Sequence, residues 1–383
     1  MNKSIFFVDN STRCFYIFRL AVAKAFINMG YKVYVMSPPP YEYYSERIKE
    51  TGAIHIPYKM NGKFSPLGDL KLLIKYWQLY KKYKPDFVIH YTIKPNIYGS
   101  IAAKINSISS VSVVPGTGSV FQKKGLVSRI VVGLYKLAFK YPRKVWVLNE
   151  DDYSAFLSRN IVEKERLDIL PGEGVDTTYY KSVSIYKRHS PFVFLYMGRM
   201  LREKGVEYIA QASKILRKKG VNDFEIHLLG LVDGLSKDVI SMEEIKGWEQ
   251  EGLVRFLGSV PDVRKNIEDA DCVLLPTFYG EGVPRSLMEA CAMERAVLAS
   301  DNVGCRDVVE DMYNGILCKS QDVDDLADKM EYMMSLPEEK LNVMGLNGRK
   351  KVKECFREEV IIQRYLEEFN LVDVGIHSDF FLK

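Results

Sequence analysis

The chain has 383 residues, 47% hydrophobic and 27% charged, the balance of a soluble globular protein long enough for two ordinary domains. No apolar run approaches the roughly 18 residues a membrane-crossing helix needs, and the first nine residues turn acidic too early for a signal peptide. The formal net charge of +5 hides an asymmetry: residues 1–176 hold 26 Lys and Arg against 14 Asp and Glu, residues 177–383 hold 28 against 35, so the first half is suited to an anionic partner.

In that first half, apolar runs at 4–8, 31–36, 53–57, 86–91, 111–114 and 144–148 alternate with helical periodicity at 15–28, 66–83 and 96–106. Such alternation predicts a parallel sheet with helices on both faces, whose ligands bind beyond the carboxyl ends of the strands. Three strand-end loops are candidates: Asp9–Arg13, His90–Asn96 and Pro115–Ser119. His90 suits either a structural or a ligand-facing role, and Lys94 either an anion contact or a solvated side chain. Gly116 and Gly118 permit close backbone approach to a ligand or a tight turn. Residues 123–144 contain seven basic residues and no acidic one. Arg129, Lys136 and Lys140 share a helical face, with Leu126, Ile130, Leu134, Leu137 and Phe139 supplying apolar surface. The pattern fits a basic amphipathic helix on an anionic membrane, or a core helix with solvated lysines.

Residues 166–191 carry the boundary signals: a short strand at 166–170, then Pro171-Gly172-Glu173-Gly174-Val175-Asp176. A second set of strands is expected at 192–197, 224–230, 253–257, 271–275 and 296–300. The first is followed by Gly198-Arg199-Met200-Leu201-Arg202-Glu203-Lys204-Gly205, which is neither a Walker loop nor a dinucleotide turn. It places Arg199 and Lys204 at a strand end, where a planar fork and a point charge suit a diphosphate. The six cysteines show no metal-binding or disulfide spacing, so reduced thiols are expected.

The stretch Gly280-Glu281-Gly282-Val283-Pro284-Arg285-Ser286-Leu287-Met288-Glu289-Ala290 organises the second half. Pro284 suits the first turn of a helix. Glu281 then lies at the helix entrance and Glu289 about a turn and a half inside, with the amides of Gly282 and Val283 facing outward to favour an anion. Two carboxylates beside an anion-binding helix end suit a polyol joined to a phosphate.

E-G-x-P-R-S-L-x-E-A closely resembles the signature of retaining glycosyltransferases of family 4, which have the GT-B fold. Gly-Arg-x-x-x-x-Lys-Gly resembles the same family's pyrophosphate-binding motif, and Ser300–Asp307 with Asn314–Leu317 matches further parts of it. After the first strand the chain has Asn10-Ser11 where many members carry two glycines, and Glu173 stands where a small or amide residue is usual. The resemblance implies an α/β, GT-B architecture: two Rossmann-like domains with parallel sheets facing across a cleft. The expected divisions are an acceptor-binding domain at 1–176, a nucleotide-sugar-binding domain at 177–355, and residues 356–383 as a helix crossing back to the first domain, plus tail.

The implied reaction is retaining transfer of a sugar from a UDP-sugar, with no cofactor and no metal. Arg199, Lys204, Gly282, Val283 and Leu287 are expected around the nucleotide diphosphate, Glu289 at the ribose and Glu281 at the donor sugar. Asn10, Arg19, His90, Lys94, Gly116, Thr117 and Gly118 are expected on the acceptor side. The subgroup with Phe15-x-x-x-Arg19 and Ile93-Lys94-Pro95-Asn96 resembles bacterial surface-polysaccharide enzymes that add an N-acetylhexosamine to polyprenyl-diphosphate-linked sugars. The expected setting is peripheral, on the cytoplasmic face of the cytoplasmic membrane, held by segment 123–144, with no nucleic-acid partner. The competing readings are a UDP-sugar 2-epimerase of the same fold and a non-catalytic scaffold subunit.

Overall fold

The computed structural model describes residues 3–39, 42–60, 65–117, 125–232 and 238–371. They form two compact units. One holds the described residues up to Gly174 together with those from Glu358 onward; the other is Val175–Arg357.

The first unit is built on β1 (Ser4–Val8), β2 (Lys32–Ser37), β3 (Ile54–Pro57), β4 (Phe87–Tyr91), β5 (Ser109–Val114), β6 (Lys144–Val147) and β7 (Leu167–Ile169). All pairings are parallel, in the order β3-β2-β1-β4-β5-β6-β7. Helices cover both faces, so the strands are continuous apolar runs: Ile5, Phe6, Phe7 and Val8 are fully buried. The helices are α1 (Thr12–Asn28), α2 (Glu42–Glu50), α3 (Pro66–Tyr83), α4 (Ser100–Ile105), α5 (Leu126–Ala138) and α6 (Glu150–Ser158). Several start where the sequence supplies a cap. The Ser11 hydroxyl accepts from the Cys14 amide (3.2 Å), Ser65 from Gly68 (3.3 Å) ahead of Pro66, and Asn149 from Asp152 (2.8 Å). A single wide, π-type turn, Pro95–Gly99, leads into α4.

The second unit has β8 (Phe192–Met197), β9 (Phe224–Leu229), β10 (Arg255–Gly258), β11 (Cys272–Leu275), β12 (Ala296–Ser300) and β13 (Gly315–Cys318), again all parallel, in the order β10-β9-β8-β11-β12-β13. Its helices are α7 (Val206–Lys218), α8 (Met242–Gln250), α9 (Arg264–Glu268), α10 (Arg285–Ala292), α11 (Cys305–Val308), α12 (Val323–Ser335) and α13 (Glu338–Cys355). The last helix, α14 (Glu358–Glu368), belongs to the first unit, where Tyr365 packs on Trp146 (ring centroids 4.9 Å) and bonds to the Tyr91 hydroxyl (3.0 Å).

Each strand order reverses once, between β1 and β4 and between β8 and β11. At such a point the loops leaving neighbouring strands diverge and open a crevice at their carboxyl ends. The sequence reading placed both sheets but did not identify β13 as a strand. This four-residue segment opens on glycine and pairs with β12 at the end of the strand order, which leaves little periodicity to read. The basic stretch 123–144 is not one helix either. α5 ends at Ala138, Lys144 opens β6, and Arg143 is paired with Glu368 (2.7 Å); Lys123 and Lys124 lie outside the described residues. All six cysteines are free thiols, four of them buried.

Candidate active site

The second unit's reversal point gathers three loops. After β8 the chain runs Gly198–Gly205 and closes with a single turn, Arg202–Lys204, held by Arg202 to Glu207 (2.6 Å) and to Glu244. After β11 it runs Pro276–Pro284 into α10. The Glu203 carbonyl ties the two together, accepting from the amides of Phe278 and Tyr279 (both 3.0 Å) and from the Thr277 hydroxyl (3.1 Å). The third loop follows β12. Ser300 donates to the Thr277 carbonyl, and the Asn302 amide donates to the carbonyls of Thr277 (3.1 Å) and Tyr279 (2.8 Å). Two contacts leave no room for a side chain. Gly205 (φ +78°) would bring a Cβ within 2.1 Å of the Pro276 carbonyl oxygen, and Gly304 (φ +76°) within 2.2 Å of that of Gly282.

This scaffold brings Lys204 and Glu281 together. The Lys204 ammonium contacts the Glu281 carboxylate, with side chains only 16% and 10% exposed, and lies 5.3 Å from the Tyr279 ring centroid. The Thr277 hydroxyl shares its one proton between the Glu203 carbonyl and the same Glu281 oxygen (3.2 Å). Burial, then the carboxylates of Glu281 and Glu203, push the Tyr279 phenol up, while Arg199 acts in the opposite direction. Arg199 is therefore within electrostatic reach of the cluster, and its exposed side chain stands at the end of β8. Farther along, Glu289 is paired with Arg285 (2.9 Å) one turn earlier in α10. The Tyr180 phenol is pushed up by burial and then by Glu289, so it faces the same carboxylate.

Two expectations on this loop change. α10 begins at Arg285 with Pro284 as its cap, so the outward-facing first-turn amides are those of Arg285, Ser286 and Leu287, not of Gly282 and Val283. Gly282 is buried and Val283 packs against the core. The Leu287 side chain is fully enclosed, leaving only its amide for a ligand. Thr277, Tyr279 and Asn302 were not singled out from sequence. Thr277 bonds Glu281, Tyr279 offers its ring face to Lys204, and Asn302 donates to backbone carbonyls; only their place in loops beyond strand ends marks them.

In the first unit the expected acceptor-side residues sit on loops after β1, β4 and β5, which are adjacent strands. Asn10 is exposed. Arg19 is 3% exposed and locked between Asp9 (2.8 Å) and Glu173 (2.5 Å), over the Tyr91 ring at 4.3 Å, so its charge holds α1, β1 and the 171–174 loop together. That also accounts for Glu173. His90 is fully buried, with Tyr80 (2.9 Å) and Ser100 (3.4 Å) on its two nitrogens, and burial holds its pKa down to about 3. It is a neutral structural side chain. Lys94 is paired with Asp69 (2.7 Å). Gly116 has φ +155°, and Thr117 donates to Asp152 (2.8 Å), whose pKa burial raises to about 6. Gly118 lies outside the described residues.

Two doubly wound parallel-sheet units, one with a lysine, an arginine and two glutamates around its reversal point, define a GT-B glycosyltransferase. Two glycosyltransferase domains make up the chain: residues 181–351 match the family described as Glycosyl transferases group 1, and residues 4–149 match Glycosyl transferase 4-like. The chain is 27% identical to the N,N'-diacetylbacillosaminyl-diphospho-undecaprenol alpha-1,3-N-acetylgalactosaminyltransferase of Campylobacter jejuni, over 96% of this chain and 98% of that one. It is 24% identical to the UDP-Gal:alpha-D-GlcNAc-diphosphoundecaprenol alpha-1,3-galactosyltransferase of Escherichia coli, over 76% and 77%. Among solved structures, Anabaena Alr3699/HepE in complex with UDP-glucose superposes with a TM-score of 0.79 at 19% identity, covering 96% of this chain and all of that one. A Rickettsia africae glycosyltransferase gives 0.78 at 17% identity, over 96% and 98%. These two likenesses show the fold.

Proposed function

We propose that this glycosyltransferase moves an N-acetylhexosamine or a hexose, with retained configuration, from a UDP-sugar to a polyprenyl-diphosphate-linked saccharide during bacterial surface-glycan or glycoprotein-glycan assembly. The two relatives described above support the acceptor class, since both act on undecaprenyl-diphosphate-linked sugars by name. The observation that carries the reading is the enclosed Lys204–Glu281 pair at the second unit's reversal point, with Arg199 beside it and α10 starting four residues beyond Glu281.

The chemical problem is the departure of an anionic diphosphate from an oxocarbenium-like carbon. Fixed positive charge and N–H donors aimed at the leaving group stabilise what develops. In this reading Arg199, Lys204 and the first-turn amides of α10 serve the diphosphate, Glu281 accepts from sugar hydroxyls, and Glu289 accepts from the ribose. Both carboxylates now hold a basic partner, so they are oriented before the donor arrives. The protein's own cations supply the positive charge, which is why the transfer is proposed to need no metal.

The membrane setting is also a proposal. Among the described residues no helix is long and apolar enough to cross a bilayer. A lipid-linked acceptor nevertheless requires contact with the surface, and α5 offers an exposed basic and apolar face for it. The proposed location is peripheral, on the cytoplasmic face of the cytoplasmic membrane.

Calorimetry with UDP in the presence of EDTA tests the donor site. Wild type should bind, and the Arg199→Ala/Lys204→Ala double variant should lose at least about tenfold in affinity, the scale of two charge-assisted contacts. Folded wild type that binds UDP only when a divalent cation is restored would overturn metal independence. No nucleotide binding under either condition would sink the assignment of this site.

A further inference from the structure

Helices α3, α4 and α5 share one layer of the first unit. Leu72 and Tyr76 of α3 pack with Ala102 and Ala103 of α4, and Tyr98, just before α4, touches both that core and the one beneath α5. Together these three helices contain one acidic residue, Asp69, which is buried and paired with Lys94. The layer's exposed charge is therefore all basic. Along α5 and just past its end, Arg129, Lys136 and Lys140 are exposed, and each is followed by an exposed apolar residue: Ile130 (36%), Leu137 (46%) and Tyr141 (36%). Consecutive residues differ by about 100° around a helix, so a basic and an apolar stripe run side by side.

Beside these stripes is a feature the sequence did not reveal. A surface pocket of about 330 Å³ is lined by Ser128, Arg129, Val132, Gly133, Lys136 and Arg159. Arg129 and Lys136 come from α5, two turns apart, and Arg159 is the residue that ends α6. Three cations and a hydroxyl thus converge with no carboxylate among them. Gly133 keeps the space open, because a Cβ built there meets no atom within 4 Å.

We propose that this pocket receives the phosphate of an anionic lipid headgroup, a site separate from the donor site. The proposal rests on the membrane reading above and gives it a specific contact. Charge complementarity selects a phosphate. The adjoining exposed Ile130 and Leu137 select one attached to acyl chains, since a free phosphate would leave them in water, whereas a headgroup brings hydrocarbon to meet them.

Flotation of the full chain with phosphatidylcholine vesicles, alone or mixed with phosphatidylglycerol, tests it. Wild type should float with the mixed vesicles and not with the neutral ones. Gly133→Glu, which places a carboxylate in the pocket, should cut the partition about tenfold. Gly247→Glu is the matched control: Gly247 also lies in a helix with nothing within 4 Å of its Cβ, but in the second unit, and the same change of charge there should leave flotation intact. Unchanged melting temperatures confirm that both variants fold. Equal loss in the two variants, or no loss in Gly133→Glu, overturns the pocket while leaving membrane binding itself standing. Release of the protein by inorganic phosphate at constant ionic strength assigns the pocket to a free phosphate instead. Binding to neutral vesicles carrying a polyprenyl diphosphate, with the same sensitivity to Gly133→Glu, assigns it to the acceptor. Wild type that floats with neither vesicle overturns this proposal and the membrane reading together.

Discussion

His90 and Asp152 are buried in the same unit, and burial shifts their pKa values in opposite directions. Burial lowers the His90 pKa to about 3 and raises that of Asp152 to about 6. The stability that neutral His90 contributes is full above its unfolded pKa, about 6.5, and is lost as pH falls toward 3. Asp152 has the opposite sign: its favourable contribution is full below its unfolded pKa, about 3.9, and is lost as pH rises through 6. Between roughly pH 4 and 6 the unfolded chain takes up one proton at His90 and gives one up at Asp152, so the two slopes cancel. Asp152→Asn should expose the histidine term, so that over that window the variant's unfolding free energy falls, relative to wild type, by about 1.4 kcal/mol for each unit of decreasing pH. Urea titrations followed by tryptophan fluorescence measure it, and a variant whose slope matched wild type would refute the pairing. The same residues show where sequence reading stops. His90 could be placed at a strand end, but whether it faced a ligand or the core depended on Tyr80 and Ser100, each ten residues away. Lys204 and Glu281 were legible because each falls in a motif on a loop that follows a strand, so that only their mutual contact remained to be seen.

The loops after β8, β11 and β12 behave as one element. Glu203 and Asn302 bind the middle loop from either side, and Gly304 lets the third loop press against Gly282. A methyl group at 304 must displace the Gly282 carbonyl beside Glu281. Gly304→Ala should therefore weaken UDP binding at least about tenfold, beyond the roughly 1–3 kcal/mol of stability that a positive φ costs a non-glycine residue. Gly220→Ala separates the two effects. Gly220 has φ +85° but open space around its Cβ, so the variant should lose stability alone. If calorimetry shows both variants binding UDP like wild type, the crowding at 304 has no bearing on the site. This interlock was largely hidden in the sequence, because backbone carbonyls accept most of its bonds and carry no residue signature. The start of α10 was placed a residue early for a related reason: proline serves equally as a first helical residue and, as here, as the cap.

At the scale of the molecule, the chain returns to its first unit only at the end. α14 closes that unit by laying Tyr365 on Trp146 and bonding its hydroxyl to Tyr91, whereas the second unit is one continuous stretch, Val175–Arg357. Tyr365→Ala removes a fully enclosed aromatic, a change that typically costs about 3–5 kcal/mol. It should lower the unfolding transition reported by Trp77 and Trp146 while UDP affinity, a property proposed for the second unit, stays within about twofold. A parallel loss of both would tie the nucleotide site to the first unit's stability. The two sheets were readable from alternating apolar runs, since helices on both faces demand unbroken hydrophobic strands. The reach of α5 was overestimated, because Lys140, Arg143 and Lys144 continue its charge pattern past the point where the helix stops.

The Lys204–Glu281 contact has one more consequence. In the empty chain these two charges serve as each other's counter-ion in a nearly closed space. An incoming anion that took Lys204 alone would deprive a mostly buried carboxylate of that partner, a costly exchange in surroundings drier than water. A molecule presenting a diphosphate to the lysine and hydroxyls to the glutamate satisfies both at once. Under the proposed function, the pair is a coincidence detector, admitting phosphate and sugar together more readily than either by itself. Inorganic anions abundant in a cell meet a lysine whose charge Glu281 already balances.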